Sequence, residues 1–190
     1  YLSIFATHYS GLAGSLVLSK ATADKLAVKP DAPVADRMKA LNNVLIASVS
    51  KISSFTISYK GAANSVGAEP RFSYMAVAAM GAALESGAVE GIIVTAPFWA
   101  LPVLKGTGVL WLSPPKGDLA AQFMPSSASV SATTRAFAEA NPDLVKKVIA
   151  VFDEFSAAFV DRPADVKAAI GRLYPELDAK KAAQEALANG

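Results

Sequence analysis

Apolar and polar positions follow two different periods along this chain. Short, nearly continuous apolar runs at residues 15–19, 44–47, 92–94 and 109–112 are typical of buried β-strands. Between these runs, apolar residues recur at helical spacing, and Gly67 and Gly87 stand where two such helices would stop. Strand and helix alternate over residues 44–112, which predicts βαβ units and a mainly parallel sheet.

The same patterns predict elements over the whole chain. The predicted strands cover residues 2–7, 15–19, 44–47, 71–75, 89–95, 109–112 and 127–132. The predicted helices cover residues 21–26, 34–41, a segment ending near 66, 76–86 and a long segment from 142, with two shorter helices after 163 and after 175–178. Asn141, Pro142 and Asp143 form a strong helix start, with Asn141 as N-cap. An apolar face at helical spacing follows: Leu144, Val148, Phe152, Phe155 and Phe159.

Composition narrows the possible classes of protein. The chain has 190 residues, of which 53% are hydrophobic and 18% charged, so it is a folded protein with room for one ordinary domain or two small lobes. It has no Cys, which excludes disulfides, zinc-thiolate and iron–sulfur sites and a Cys nucleophile. The single His excludes a multi-His metal site. The basic and acidic residues are interspersed and give a net charge of +2, so the sequence shows no basic cluster of the kind that binds nucleic acid.

The mean hydropathy of +0.35 raises the question of a membrane segment. Residues 1–19 carry no charge, but Ser, Thr, His, Tyr and Gly residues interrupt their apolar surface, so we expect no membrane span there. The 38 Ala residues account for most of the hydropathy. The chain opens on Tyr1 within a predicted strand and shows no targeting segment. We therefore expect a fragment, a processed form or a chain whose front is missing.

The carboxyl ends of parallel strands are where ligands bind in open α/β sheets, so these ends are the places to look for function. The strand at 44–47 leads into a run that contains Ser50, Lys51, Ser53 and Ser54. Hydroxyls and free backbone N–H groups at a helix N-terminus can bind an anion or a polar acceptor, and a lysine adds positive charge. The alternative is plain helix capping by one serine, with the others solvated.

Two further strand ends carry little charge. Met75 stands at the end of the strand at 71–75, beside small residues and backbone N–H groups that could contact a ligand. The alternative is that this segment only packs the following helix against the sheet. Thr95, Pro97, Phe98 and Trp99 follow the strand at 89–95. This aromatic pair on a proline turn predicts the wall of an apolar or planar ligand site, with a hydrophobic plug beneath the loop as the alternative.

His8 follows the first predicted strand, with Ser10 and Gly11 beyond it as candidate polar lining of a cleft. His8 has no evident catalytic partner, and the chain contains neither GxSxG nor GxxxxGK[ST]. No carboxylate pair stands out as general acid and base. We therefore predict no catalytic residue, no metal and no cofactor.

Six segments together resemble the periplasmic solute-binding proteins of ABC importers, in particular the nitrate, sulfonate, taurine and thiamin-pyrimidine-precursor group. The main segment is residues 85–98, ESGAVEGIIVTAPF, which is similar to that family's helix, glycine, strand and Pro-Phe sequence. The others are residues 15–20, 36–41, 50–54, 123–127 and 141–146, in the family's order and spacing. The resemblance covers nearly the whole chain.

This resemblance implies a type II periplasmic-binding fold, with two α/β lobes that close on a ligand. It implies a monomeric receptor, not an enzyme, that captures a small organic molecule, with anions among the candidates, for a membrane ABC permease. It implies a periplasmic or extracellular location, with membrane association through the transporter. Residues 1–14 then correspond to a remnant of the first lobe and the hinge, 15–117 to the second lobe, and 118–190 to a return strand and helices that pack toward the first lobe.

Two departures from the family leave the ligand and the function class open. Family members are considerably longer, so the first lobe is expected to be incomplete here. Lys51-Ile52 stands where a Pro-Gly or Gly pair is common. The alternatives are an effector-sensing domain of a transcription regulator and an enzyme like the pyrimidine-precursor synthases, whose Cys-rich motif this chain lacks.

Overall fold

The computed structural model describes residues 1–9, 11–124, 129–173 and 175. These residues divide into two compact units. The larger unit contains residues 12–124. The smaller unit contains the described residues on either side, 1–9, 11, 129–173 and 175. The larger unit extends beyond residues 15–117 at both ends, because Leu12 and Leu119 lie in its core.

The described residues form seven strands and eight α-helices. The strands are β1 (Leu2–Tyr9), β2 (Ser15–Ser19), β3 (Leu45–Ser48), β4 (Arg71–Tyr74), β5 (Gly91–Val94), β6 (Gly108–Leu112) and β7 (Ser129–Thr134). The helices are α1 (Lys20–Lys25), α2 (Val34–Lys39), α3 (Ser54–Ser65), α4 (Val77–Glu85), α5 (Ala100–Leu104), α6 (Arg135–Ala140), α7 (Pro142–Asp161) and α8 (Pro163–Leu173). Short 3₁₀ turns occupy Pro114–Lys116 and Ala121–Phe123.

A five-stranded sheet of order β4-β3-β5-β2-β6 forms the centre of the larger unit. β3 pairs in parallel with β4 and β5, whereas β2 pairs antiparallel with both β5 and β6. Four strands therefore run in one direction and β2 runs against them. The prediction of a mainly parallel α/β sheet is confirmed in this mixed form.

Alternate residues of the central strands enter two separate cores, one on each face of the sheet. In β2, Leu16 and Leu18 belong to one cluster and Val17 to the other. In β5, Ile93 belongs to the first of these clusters and Ile92 to the second. Since successive side chains of a strand point to opposite faces, strands covered on both sides must be apolar at every position. Each fully buried Leu or Ile contributes about 1.5–3 kcal/mol.

Caps and glycines fix the ends of the helices around this sheet. The Ser19 side chain accepts a hydrogen bond from the Thr22 N–H and begins α1. Gly67 (φ +77°) and Gly87 (φ +75°) follow α3 and α4 in the left-handed conformation, as the sequence predicted. These stops return the chain to the sheet, where β4 and β5 begin.

Tyr59 of α3 is fully buried, and its hydroxyl donates a hydrogen bond to the Gly14 carbonyl oxygen over 2.9 Å. Burial raises the pKa of the Tyr59 phenol well above its ordinary value of 10.0. Below about pH 10 the phenol is neutral in both the folded and the unfolded chain. Above that pH the unfolded chain loses this proton while the folded chain keeps it, so the free energy of unfolding falls as pH rises.

We expect Tyr59→Phe to reduce this alkaline loss of stability. The variant should also lose about 1 kcal/mol near pH 7, because the Gly14 carbonyl oxygen loses its buried partner. Urea unfolding at pH 7, 9 and 11 measures both effects. Tyr74→Phe, which alters an exposed tyrosine, is the control and should keep the parental pH dependence. An equally steep alkaline loss in Tyr59→Phe would contradict the linkage.

The smaller unit is built on the antiparallel pair β1 and β7, with α6, α7 and α8 as its helices. None of its described residues is buried, whereas the larger unit has a buried interior. His8 Nε2 lies 2.8 Å from Ser131 Oγ, and its ring stacks on Phe152 with centroids 3.8 Å apart. Both contacts are between residues of the smaller unit.

The long helix α7 begins where predicted but differs in two details. Asn141 is the N-cap residue, yet its side chain makes no capping bond and instead donates to the Phe137 carbonyl oxygen over 3.0 Å. The face predicted to be buried is largely exposed at Leu144, Phe155 and Phe159. The half-buried positions of α7 are Val145, Val148, Ile149, Phe152 and Ala158. Periodicity identified an apolar stripe, but burial of a stripe needs a partner surface.

Other differences concern boundaries. Helix α6 was not predicted as a separate element, and the described part of the strand predicted over 127–132 lies in β7. Residues 127 and 128 and the helix predicted after 175 lie outside the described residues. Within the described ranges, no helix combines the length and apolarity needed to cross a membrane.

Candidate functional site

The strands β3, β4, β5 and β6 all end at one edge of the large sheet, where β2 begins. Three of these strands lead through short loops into the N-termini of helices: β3 into α3, β4 into α4 and β5 into α5. We call this region the strand-end site; it comprises residues 48–57, 74–79 and 95–99. This is the position at which open α/β sheets bind ligands.

Large apolar side chains are exposed at this edge. The exposed large hydrophobic residues of the larger unit are Val49, Ile52, Ile57, Tyr74 and Phe98, with exposed fractions from 39% to 83%. All five lie in the loops after β3, β4 and β5, at a strand end or in the first turn of α3. Exposed apolar residues gathered in one place mark an interaction surface, whereas scattered ones do not.

The hydroxyl-rich loop after β3 is held together by its own hydrogen bonds. Thr56 Oγ1 lies 2.8 Å from Ser48 Oγ, 2.7 Å from the Ser50 carbonyl oxygen and 3.1 Å from Ser53 Oγ. The Thr56 N–H donates to Ser53 Oγ over 3.2 Å, so Ser53 is the N-cap of α3. Ser53, predicted as a ligand contact, thus has a structural role, which was the alternative interpretation of this run.

We expect Ser53→Ala to lower the free energy of unfolding by about 1 kcal/mol, because α3 loses its N-cap. Ser54→Ala is the matched control: Ser54 is exposed, and its hydroxyl makes no hydrogen bond within the described residues. Urea unfolding at pH 7 compares the two. Equal stability of the two variants would contradict the capping role of Ser53.

The remaining candidates of this loop point outward or lie at its rim. Lys51 and Ser54 are exposed, and Ser50 is half-buried. The N–H groups of Ser54 and Phe55, in the first turn of α3, have no acceptor among the described residues. They are available to a hydrogen-bond acceptor from outside.

Helix α4 begins without a side-chain cap. Its N-cap residue is Ala76, which has no polar side-chain atom, and the N–H groups of Val77 and Ala78 have no acceptor within the described chain. Met75, in the same loop, is half-buried. Because Ser, Thr, Asp and Asn are the usual N-caps, alanine at this position leaves helix donors free at the strand ends.

The loop after β5 separates the two aromatic candidates. Phe98 is partly exposed at the strand-end site, beside half-buried Thr95 and Pro97. Trp99 is only 2% exposed and belongs to the core cluster under α4 and α5. The expectation that Trp99 lines a ligand is therefore corrected: its large ring packs inward, and Phe98 alone of the pair remains at the surface.

The structure brings together Ser50, Lys51, Ser54, Met75, Thr95, Pro97 and Phe98 along one edge of the sheet. Ser10 lies outside the described residues, and Gly11 (φ +82°) belongs to the smaller unit. Sequence reasoning missed the apolar members Val49, Ile52, Ile57 and Tyr74. The available signal was a large apolar residue placed directly after a buried strand, where polar turn residues are the rule.

Charge is sparse at this edge. Lys51 is the one charged residue within 48–57, 74–79 and 95–99. Across the described residues, no group of three or more His, Cys, Asp or Glu side chains is placed to hold a metal ion. The site offers apolar surface, a few hydroxyls and free backbone donors. Such a surface can bind a small molecule that has an apolar part and an acceptor group.

The comparisons with known proteins bear on the fold. No protein-family model and no curated protein matches the sequence. Among solved structures, the periplasmic aliphatic sulphonate binding protein SsuA from Escherichia coli matches with a TM-score of 0.67 at 16% identity, over 96% of this chain and 57% of that one. The alkanesulfonate-binding protein SsuA from Xanthomonas axonopodis pv. citri, bound to MOPS, gives 0.67 at 16% identity, over 99% and 59%.

The periplasmic nitrate-binding protein NrtA from Synechocystis PCC 6803 gives a TM-score of 0.66 at 16% identity, over 95% of this chain and 47% of that one. The chain thus spans less than three fifths of the length of these three proteins. At this level of sequence identity, the structural similarity establishes the fold but not which ligand is bound. The chain has an α/β fold like that of these solved periplasmic binding proteins.

Proposed function

We propose that this chain is part of a solute-binding receptor for ABC-type import, which takes a small organic solute at the strand-end site. The observation that carries the proposal is the gathering of all five exposed large hydrophobic residues of the larger unit at this edge. The structural neighbours are binding proteins for sulphonates and nitrate, which supports binding rather than turnover.

Two features favour a solute with an apolar part and one acceptor group. The exposed side chains of Val49, Ile52, Tyr74 and Phe98 provide apolar contacts. The free N–H groups at the starts of α3 and α4 provide donors, and partial positive charge at helix N-termini favours an anionic acceptor. Lys51 adds the single formal charge. Sulfonates and carboxylates meet these requirements.

The rest of the proposal follows the resemblance. Residues 15–117 correspond to the second lobe of such a receptor and residues 1–14 to a remnant of the first lobe and the hinge. Residues 118–190 correspond to a return strand and helices that pack toward the first lobe. The receptor is a monomer and delivers its solute to an ABC permease, in the periplasm or at the outer face of the membrane. It needs no cofactor.

A ligand panel tests the proposal. Isothermal titration and thermal unfolding are measured with MOPS, ethanesulfonate, taurine, nitrate, acetate and a pyrimidine. We expect at least one organic anion to raise the melting temperature, since binding to the folded state stabilises it by mass action. The panel members should be recovered unchanged after incubation. Failure of every compound to bind, or its conversion to a product, would overturn the proposal.

The apolar contact has its own prediction. We expect Tyr74→Ala to weaken binding of the best panel member by about tenfold or more, because truncating an aromatic contact costs more than 1 kcal/mol. Tyr74→Phe keeps the ring and should bind within about twofold of the parent. Neither change should alter stability by more than about 0.5 kcal/mol, since the residue is exposed. Equal affinities of both variants would remove Tyr74 from the site.

A further inference from the structure

A groove runs along one face of the larger unit between α4 and α5. Its volume is about 370 Å³, which is within the range of small-molecule pockets. The buried side chains of Met80, Ile92 and Val94 form its floor. Leu101 and Pro102 of α5 form one wall. We call this space the α4–α5 groove.

The opposite wall is low because α4 presents small residues to the groove. Ala78, Gly81 and Ala82 lie on the lining face of the helix. No atom lies within 4 Å of the position that a Cβ at Gly81 would take. The small side chains of α4 therefore leave the space beside α5 open.

One end of the groove adjoins the strand-end site, since Val77 and Phe98 line both. At the other end, Lys105 Nζ lies 2.9 Å from Glu85 Oε1 across the two helices. From Val77 to Glu85 the helix rises about 12 Å, which is the length of the groove along α4. The space is therefore apolar along its length, open toward the strand ends and polar at its far end.

From this continuity we infer that the α4–α5 groove holds the apolar tail of the solute, while its acceptor group is bound at the strand ends. The solute class is an amphiphile with an unbranched chain of several carbons. The inference rests on the proposed function, because it assigns the groove to the same ligand. A chain of this kind displaces water from the lining residues that are not buried, Ala78, Ala82 and Leu101, and leaves the charged pair at the far end solvated.

Methionine methyl groups are suitably placed reporters for the test. Met80 is on the groove floor, Met75 is at the strand ends, and Met38 is buried in the other core cluster and serves as an internal reference. The chain is labelled with ¹³C at its methionine methyl groups and titrated with ethanesulfonate, hexane-1-sulfonate and n-hexanol. We expect ethanesulfonate to shift Met75 alone, n-hexanol to shift Met80 alone, and hexane-1-sulfonate to shift both.

Affinity should rise with chain length by about two- to fourfold per methylene, the upper figure corresponding to full burial. Gly81→Leu fills the groove and should abolish the Met80 shift and the gain with chain length, while the Met75 response remains. This variant should fold, because leucine is a better helix former than glycine and has space at this position. Ala21→Leu, at an exposed position of α1 outside the groove and the strand-end site, is the control and should behave as the parent.

The outcomes separate the two proposals. If Met75 responds to the sulfonates while Met80 stays fixed and affinity is independent of chain length, the groove is not the tail site and the strand-end proposal stands. If Met80 responds to n-hexanol but no sulfonate shifts Met75, the groove is an apolar site unconnected to the proposed ligand, and the inference is overturned together with the strand-end site. A Met80 shift that grows with protein concentration alone would instead assign the groove to a second copy of the chain.

Discussion

Replacement of Arg37 by alanine is expected to lower the free energy of unfolding of the larger unit by about 3–5 kcal/mol. The Arg37 guanidinium forms a two-point ion pair with the Asp118 carboxylate, at 2.7 and 3.1 Å. It also donates to the carbonyl oxygens of Ala32, at 2.8 Å, and Trp111, at 2.6 Å. The two side chains are only 11% and 15% exposed, so water can replace little of what the variant loses.

This ion pair links distant parts of the chain. Asp118 also accepts a hydrogen bond from the Ser113 N–H over 2.8 Å, and the Trp111 indole N–H donates to the Arg37 carbonyl oxygen over 3.0 Å. Helix α2 is thereby attached to the end of β6 and to the turn that follows it. Removing the guanidinium leaves a nearly buried carboxylate and the Trp111 carbonyl oxygen without their partner, and this desolvation cost dominates the effect.

Urea unfolding followed by tryptophan fluorescence measures the effect. Lys20→Ala is the matched control, since Lys20 and Asp24 form a 2.7 Å pair on the surface with exposures of 57% and 61%. It should cost under about 1 kcal/mol. The double variant Arg37→Met, Asp118→Leu should lose less than the two single variants together, because no charge is left unpaired. A loss below about 1 kcal/mol in Arg37→Ala would mean that the pair contributes no more than a surface contact.

The second large effect is expected from dividing the chain. Residues 12–124 expressed alone should unfold cooperatively, because every buried residue among the described ones lies between Leu12 and Leu119. The smaller unit should show little resistance to unfolding. Its sheet has two strands, and such a pair is at best marginally stable in water without a packed face.

Hydrogen exchange of the intact chain tests the same point without excision. Amides of β2, β3 and β5 should approach the protection of global unfolding, whereas those of β1, β7 and α7 should exchange through local openings. Failure of residues 12–124 to fold alone, or equal protection in both units, would contradict this division.

Individual elements show which features of the fold could be predicted from the sequence. β2 and β5 were predictable because both of their faces are buried, which makes their central positions apolar without alternation. The stops at Gly67 and Gly87 were predictable because the left-handed conformation favours glycine. The face of α7 was not, since the spacing of apolar residues gives a stripe but does not say what covers it.

For the candidate site, too, one part was predictable from the sequence and another was not. The sequence placed function at the ends of β3, β4 and β5, because strand–helix alternation determines which edge of a sheet receives the loops. It could not assign individual side chains. Ser53 caps α3, and Trp99 packs in the core, although each stands beside residues that remain at the surface.

By itself, the sequence determined the α/β class, the order of the elements and the absence of cysteine and multi-histidine chemistry, because local periodicity and residue identity depend on no distant contact. Only the tertiary structure decided that β2 runs against its neighbours, that Arg37 meets Asp118 across 81 positions, and that small residues on α4 face α5 across an unfilled groove. These are relations between residues far apart in the chain. They arise when the faces of separate elements pack, and no local pattern encodes which faces will meet.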